Sequence, residues 1–374
     1  MTCSSPLLAL PLELREQIYQ DIFRHSSKDV QILRTSRQLL NEAQPFIFKR
    51  PLVFASQYEL YEWLEVVGPQ HLHHVIDLRI RLADIDLSQV LKGNLQQPRT
   101  VPVYMDLYKQ ELENIAVALQ KLPNIAALTI DKPKPTRSHL FQDLYSRFLR
   151  VVAYQWPNLR QLALNDDEVP LAFVRMFSDL RYLSCAGHST GRDYEFVKVF
   201  SSMPHLTEVE FVLGQRTRAS GNWGSSMAAA VSNIRPLTSL TLYEPRAHCE
   251  SSAACSLRET MEVLYEEHSD TLQDLQITLN SVPDPSTLEA LFEFVAASSI
   301  KHLELLWPDQ TSSFVKFLPP SLEVLDVAIF QEEELHTLKN RLQARRNDLP
   351  MLYKLHVRHY SAPAVDTSQT VSSS

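Results

Sequence analysis

Ten times along this chain of 374 residues one short phrase returns: an apolar residue, two spacers, a second apolar residue, one spacer and a third. The copies are Val75-Leu78-Ile80, Ile125-Leu128-Ile130, Leu159-Leu162-Leu164, Leu180-Leu183-Cys185, Leu206-Val209-Phe211, Leu237-Leu240-Leu242, Leu272-Leu275-Ile277, Ile300-Leu303-Leu305, Leu322-Leu325-Val327 and Leu352-Leu355-Val357. Their first positions are separated by 50, 34, 21, 26, 31, 35, 28, 22 and 30 residues. Recurrence on this scale predicts a solenoid, in which each unit buries its apolar edge only by stacking on its neighbours. Such a fold offers a long surface for partners more readily than an enclosed catalytic pocket.

Prolines support the repeat independently of the apolar triplets. Pro123, Pro157, Pro204, Pro320 and Pro350 each stand two residues before a first apolar position, and Pro236 stands one before. Proline cannot continue a helix and turns the preceding residue away from helical geometry, so each marks the break between a helix and the next strand. The chain carries 22 Pro against only 7 Gly, a balance that suits repeated helix-to-strand breaks better than a glycine-rich sandwich.

Amphipathic stretches fill the intervals. Leu112, Ile115 and Leu119 follow helical spacing, as do Leu140, Leu144, Phe148 and Val151, then Leu257, Met261 and Leu264, then Leu288, Leu291, Phe292 and Val295, then Leu335, Leu338 and Leu342. Ser56 with Glu59, Ser256 with Glu259 and Ser286 with Glu289 have the spacing of capping boxes. Loops are expected over Lys92–Val103, 214–224 and Pro245–Ser256, and disorder over the Ser/Thr-rich tail. The expected fold is α/β: a small all-α module over 1–50, a repeat solenoid over 51–360 with parallel strands on its concave face and helices outside, and a disordered tail over 361–374.

The triplets resemble the leucine-rich repeat family over roughly residues 70–360. The resemblance is confined to the L-x-x-L-x-L core. Of the Asn or Cys usual in that family three residues beyond the last apolar position, only Asn280 is present. The repeats are degenerate.

The first 50 residues are a different object. LPLELREQIYQDIF predicts a helix with Pro11 near its start and Leu14, Ile18 and Ile22 on one face, and a second helix carries Leu33, Leu40 and Ile47. Leu10-Pro11-x-Glu13-Leu14 followed by Ile18, with the later Leu33-x-x-Ser36-Arg37, resembles the F-box as found in divergent fungal proteins. The Trp common after the Arg is absent, with Gln38 and Leu39 in its place. The resemblance implies that Leu10, Pro11, Leu14, Ile18 and Leu33 meet a Skp-type adaptor of a cullin–RING ubiquitin ligase, while the repeats hold a protein substrate. Docking would be helix-in-groove packing with a few dominant anchors.

Side chains alternate across a strand, so the residues between and after the apolar ones face outward together. Ten parallel strands would span about 43 Å, enough for a protein partner. The candidate binding face carries Arg79 and Arg81 at one end and Lys354 and Arg358 at the other. Between them lie Tyr182, Glu208, Glu210, Tyr243, Asp274, Glu304 and Asp326. The acidic middle predicts a partner that brings basic groups.

A net charge of −8 argues against a general nucleic-acid binder. Neither a membrane-spanning run nor a signal peptide is evident, and the four cysteines form no disulfide framework or zinc spacing, which points to the cytoplasm or nucleus. Cys185 reads as a buried structural thiol, and the His71, His73 and His74 run as a loop with one packed histidine. Phosphate-binding, nucleophile-elbow and metalloprotease motifs are absent, so no enzyme activity, metal or cofactor is expected. Two alternatives stay open. One is a non-catalytic interaction scaffold without any ligase link, its N-terminal helices only capping the solenoid and burying Leu10 and Pro11. The other is a small-ligand sensor with an aromatic-lined pocket on the concave face, where only Tyr182 and Tyr243 supply aromatics.

Overall fold

The computed structural model describes residues 6–25, 36–85, 102–131, 139–165, 171–186, 193–213, 223–245, 257–308, 310–329 and 332–359. The chain divides into two compact units, Met1–Thr190 with Met203–His205, and Gly191–Ser202 with Leu206–Ser374. Both are α/β with parallel strands.

The first unit opens on helices α1 (Leu12–His25) and α2 (Arg37–Phe48). Strand β1 (Leu52–Phe54), helices α3 (Gln57–Val66) and α4 (Pro69–Leu72), and strand β2 (Asp77–Arg81) follow. Then come α5 (Pro102–Gln120), β3 (Ala127–Asp131), α6 (His139–Gln155), β4 (Gln161–Leu164) and, after a 3₁₀ turn at Leu171–Met176, β5 (Tyr182–Ala186). Its strands lie side by side in chain order from β1 to β5. The second unit alternates α7 (Asp193–Phe200), β6 (Glu208–Val212), α8 (Trp223–Ser232), β7 (Ser239–Tyr243), α9 (Arg258–His268), β8 (Asp274–Thr278), α10 (Pro285–Ala297) and β9 (His302–Leu306). A 3₁₀ turn at Ser312–Phe317 leads to β10 (Val324–Ile329), then α11 (Glu332–Ala344) and β11 (Lys354–His359). These strands also lie in chain order, β6 to β11.

The triplets set the register. Leu78, Leu128, Leu162 and Leu183 are successive partners across β2–β5, and Ile80, Ile130, Leu164 and Cys185 form the next row. Val209, Leu240, Leu275, Leu303, Leu325 and Leu355 do the same across β6–β11. Every member of these rows before Leu355 is buried. Among the described residues one backbone arrangement recurs eight times. The residue just after a first apolar position (Ile76, Ala126, Arg160, Thr207, Thr238, Gln273, Lys301 or Glu323) offers its carbonyl to two consecutive N–H groups of the next repeat. The shared carbonyl fixes where each strand starts, which explains why the two-residue spacer is kept when the loops vary.

All six prolines lie in turns between a helix and the following strand. Interval length decides what precedes a strand. The two shortest steps, 21 and 22 residues, hold 3₁₀ turns, and the longer ones hold α-helices. Side chains also tie neighbouring repeats. Trp156 Nε1 donates to the Leu122 carbonyl at 2.8 Å, and buried His268 pairs through Nε2 with the Val231 carbonyl at 3.1 Å. Asn280 Nδ2 donates to the Pro245 carbonyl at 3.1 Å, holding the preceding repeat where a leucine-rich repeat would place its Asn.

Several expectations need correction. An eleventh strand, β1, went unread because Lys49 occupies its first apolar position. Leu355 of the last triplet is exposed, because among the described residues nothing packs over β11 as neighbours do elsewhere. Helix α10 is capped by Asp284, which accepts from the Thr287 N–H at 3.0 Å, so Ser286 is not the cap. Ser56 does cap α3, but Glu59 reaches back to the Ala55 N–H at 2.8 Å. Trp223 and Gly224, expected in a loop, begin α8. Ser256, the tail from residue 361, and most of the expected loops lie outside the described residues.

Candidate interaction surfaces

Helices α1 and α2 close on a small core of Tyr19, Phe23, Leu39, Ala43 and Phe46, with Leu7, Leu8, Ile22 and Ile47 packed around it. Of the residues expected to meet an adaptor, Leu14 is 46% exposed and Ile18 half-buried. The reason is Arg15. It is buried in their stead and forms a two-point salt bridge with Glu42 of α2. Its Nη1 donates to the Leu10 carbonyl at 2.5 Å, which anchors the segment before α1. Tyr19 Oη and Gln38 Nε2 donate to the same carboxylate, at 3.1 and 2.9 Å. Hydrogen bonding from Arg15, then from Gln38, holds the Glu42 carboxyl below its usual range against the opposing pull of burial. Nothing in one sequence pairs an Arg with a Glu 27 residues away, so this network was missed.

That arrangement leaves Pro11, Leu12 and Leu14 outside, on a helix whose other exposed residues are polar. Pro11, Leu14 and Ile18 fall three and four residues apart, on one helical face. Leu10 is half-buried. Leu33 lies outside the described residues. Helix α2 also touches the first repeat. Phe48 stacks on His71 with ring centres 5.0 Å apart, and Gln44 Nε2 lies 3.1 Å from His71 Nε2. His71 lies in α4 and His74 is half-buried like it, so the run is not a loop with one packed histidine; burial, helped by the neighbouring His73, lowers the pKa of His74.

The second surface is the polar face of the sheet. In the first unit it carries Arg79, Arg81 and half-buried Tyr182. Arg79 does not stand free: its Nε and Nη2 donate to the two oxygens of Asp131 at 2.8 and 2.9 Å. Asn165 Nδ2 adds a bond to Asp131 at 2.9 Å. Burial pushes the Asp131 carboxyl up, but the Arg79 and Asn165 bonds outweigh it and leave its pKa lowered. In the second unit Glu208, Ser239, Asp274, His302, Val324 and Lys354 form one register row. Glu210, Thr241, Gln276, Glu304, Asp326 and His356 form the next.

These rows set Glu304 directly beside Asp326, an unfavourable like-charge pair. Arg358 relieves it, with Nη2 2.9 Å from Glu304 and Nε 3.8 Å from Asp326. Asp274 pairs with Nδ1 of His302 at 2.5 Å. Part of the acidic middle is thus paired from within the chain, and Arg79 and Arg358 at the basic ends are paired as well. Glu208 and Lys354 keep exposed side chains with no ion pair among the described residues, and Tyr243 is exposed between them. Four residues expected to face outward, Asp131, Ser184, Leu306 and Ala328, are buried. Alternation along the strand does not guarantee exposure where neighbouring chain covers the face, as Asn165 does over Asp131.

A groove of about 600 Å³ lies between α5 and α6, lined by Met105, Leu112, Leu140 and Leu144 with Asp106 and Arg147 at its margin. It belongs to the helical side and not to the polar face, where a ligand pocket was weighed. Among the described residues no cluster of acidic, histidine and cysteine side chains could hold a metal ion, and no helix is long and apolar enough to cross a membrane. Cys185 is a free, buried thiol. Neither protein-family models nor curated proteins match this chain.

Proposed function

We propose that this chain is the substrate-receiving subunit of a Skp–cullin–F-box type ubiquitin ligase. In this reading 1–50 is an F-box-like module and 51–360 a degenerate leucine-rich-repeat solenoid. The observation that carries it is the exposure of Pro11, Leu12 and Leu14. None of them belongs to the core of α1 and α2, and Pro11 and Leu14 share one helical face with half-buried Ile18, which supports a docking surface there. The chain would act by positioning, not by its own chemistry. The adaptor meets α1, and a protein substrate meets the polar strand face through Glu208, Tyr243, Lys354 and the paired charges beside them. Such an assembly belongs in the cytoplasm or nucleus.

A second reading has its own support. The stacking of Phe48 on His71 lets α2 serve as a cap on the first repeat, as a scaffold without a ligase link would require. Co-expression with a Skp-type adaptor separates the two. On the ligase reading the wild-type chain co-elutes with the adaptor, and a folded Leu14→Asp variant does not. On the scaffold reading neither co-elutes.

A further inference from the structure

The last strand is built differently from the others. Leu355 continues the buried row of Leu240, Leu275, Leu303 and Leu325, yet it is 37% exposed, and Met351 and Tyr353 beside it are 54% and 73% exposed. The backbone is open as well. Lys354 N–H donates to the Glu323 carbonyl, so strand alternation turns the N–H and C=O groups of Leu355 and Val357 to the far side. Among the described residues no strand pairs there. The opposite face of the same strand carries Lys354, His356 and Arg358, all exposed, in a chain whose net charge is −8.

We propose that the open edge of β11 receives an extended partner segment of alternating acidic and apolar residues as an added strand. The backbone groups of Leu355 and Val357 would supply the ladder. The apolar residues of the segment would cover Leu355, Val357 and Tyr353, completing the row that every earlier repeat completes with its successor. Its acidic residues would lie beside Lys354 and His356, since Arg358 already serves Glu304 and Asp326. Antiparallel pairing with the β11 of a second copy does not fit, because it sets basic residues against basic residues in every register. The residues after His359 do not fit either, since 360–374 contain a single acidic residue, Asp366. This proposal stands apart from the ligase reading and survives its failure.

The test uses the full chain and a fluorescein-labelled seven-residue peptide of alternating Glu and Val, with a Glu-block/Val-block peptide and an alternating Lys–Val peptide as controls. Two variants are compared: Lys354→Glu combined with His356→Glu, and Val357→Pro. The second removes an outward N–H that the native ladder does not use, so the fold is kept, as thermal melting followed by circular dichroism should verify. The alternating acidic peptide should bind the wild type in preference to both controls and slow hydrogen exchange at Leu355 and Val357. Each variant should weaken that binding by about tenfold. Absence of binding, equal binding by the folded variants, or equal binding of the Lys–Val peptide would overturn the proposal. Slow exchange of the two amides in the free protein would overturn it too. It would assign the edge to the chain's own tail if independent of protein concentration, and to a second copy if it grows with concentration.

Discussion

Arg15 on α1 and Glu42 on α2 meet in a two-point salt bridge, Nε to Oε2 and Nη2 to Oε1, both at 2.8 Å. The pair decides which side of α1 faces outward. With the guanidinium turned inward to Glu42 and to the Leu10 carbonyl, Pro11 and Leu14 are carried to the surface. Removing one partner strands the other in a partly buried site. Glu42→Ala should therefore loosen α1 against α2, with amide exchange in α1 at least about tenfold faster and the repeats unchanged. The Glu42 pKa is lowered in the folded state from 4.5, so its contribution is complete above that value and fades as pH falls through the lower folded pKa. Acid should therefore loosen this helix pair as pH falls below 4.5.

The stacked apolar rows make a contrast between a middle and a terminal strand. Leu240 is fully buried and Leu355 is not, although both occupy the second triplet position. Leu240→Ala should cost about 3 kcal/mol in urea denaturation, through lost burial and the cavity left behind. Leu355→Ala should cost under about 1 kcal/mol. Equal costs would mean that β11 is covered in solution.

Arg358 spans two strands to serve two carboxylates. Arg358→Ala should destabilise by about 0.5–1 kcal/mol, the loss shrinking in high salt because these groups are screened by solvent. Glu304→Gln on top of it should recover part of the loss, since the Glu304–Asp326 repulsion is then gone. A double-mutant cycle measures both.

His268 gives a pH signature. Burial lowers its folded pKa from 6.5. The neutral ring's contribution is then present in full above the unfolded value and shrinks as pH falls below it. His268→Gln keeps a donor for the Val231 carbonyl but does not titrate. The stability of the wild type relative to this variant should therefore fall between pH 7.5 and 5, as followed by urea midpoints. A constant difference would show that His268 is not held neutral by burial.

Much of the fold was legible because the triplets carry two messages at once, the two-residue alternation of a strand and the position at which each strand begins. Leu128, Leu162 and Leu183 pair in the register their spacing predicts. What failed did so for local reasons. Strand β1 was hidden by Lys49 at a position every other repeat keeps apolar. Helix α8 was hidden by its small residues, Ala228, Ala229 and Ala230, which give weak amphipathic contrast. On the polar face one sequence names the charged residues but not their partners. Arg79 with Asp131, and Arg358 with Glu304, are partners 52 and 54 residues apart, and only folding brings them together. The same holds for Arg15, whose inward turn onto Glu42 leaves Leu14 outside.

Reversal of Glu208 and Glu210 to Lys tests whether that face meets a basic partner. If a basic partner docks there, its affinity should fall by about tenfold or more, with adaptor binding unaffected. Surface plasmon resonance with the immobilised chain would read both.

Calorimetric titration of a purified Skp-type adaptor into the full chain tests whether α1 is an adaptor-docking helix. Binding should be one-to-one, lost in Leu14→Asp and kept in Glu208→Lys/Glu210→Lys, with both variants folded. If the wild type takes up no adaptor, or Leu14→Asp binds as well as wild type, α1 does not dock an adaptor through its exposed apolar face and the ligase reading fails.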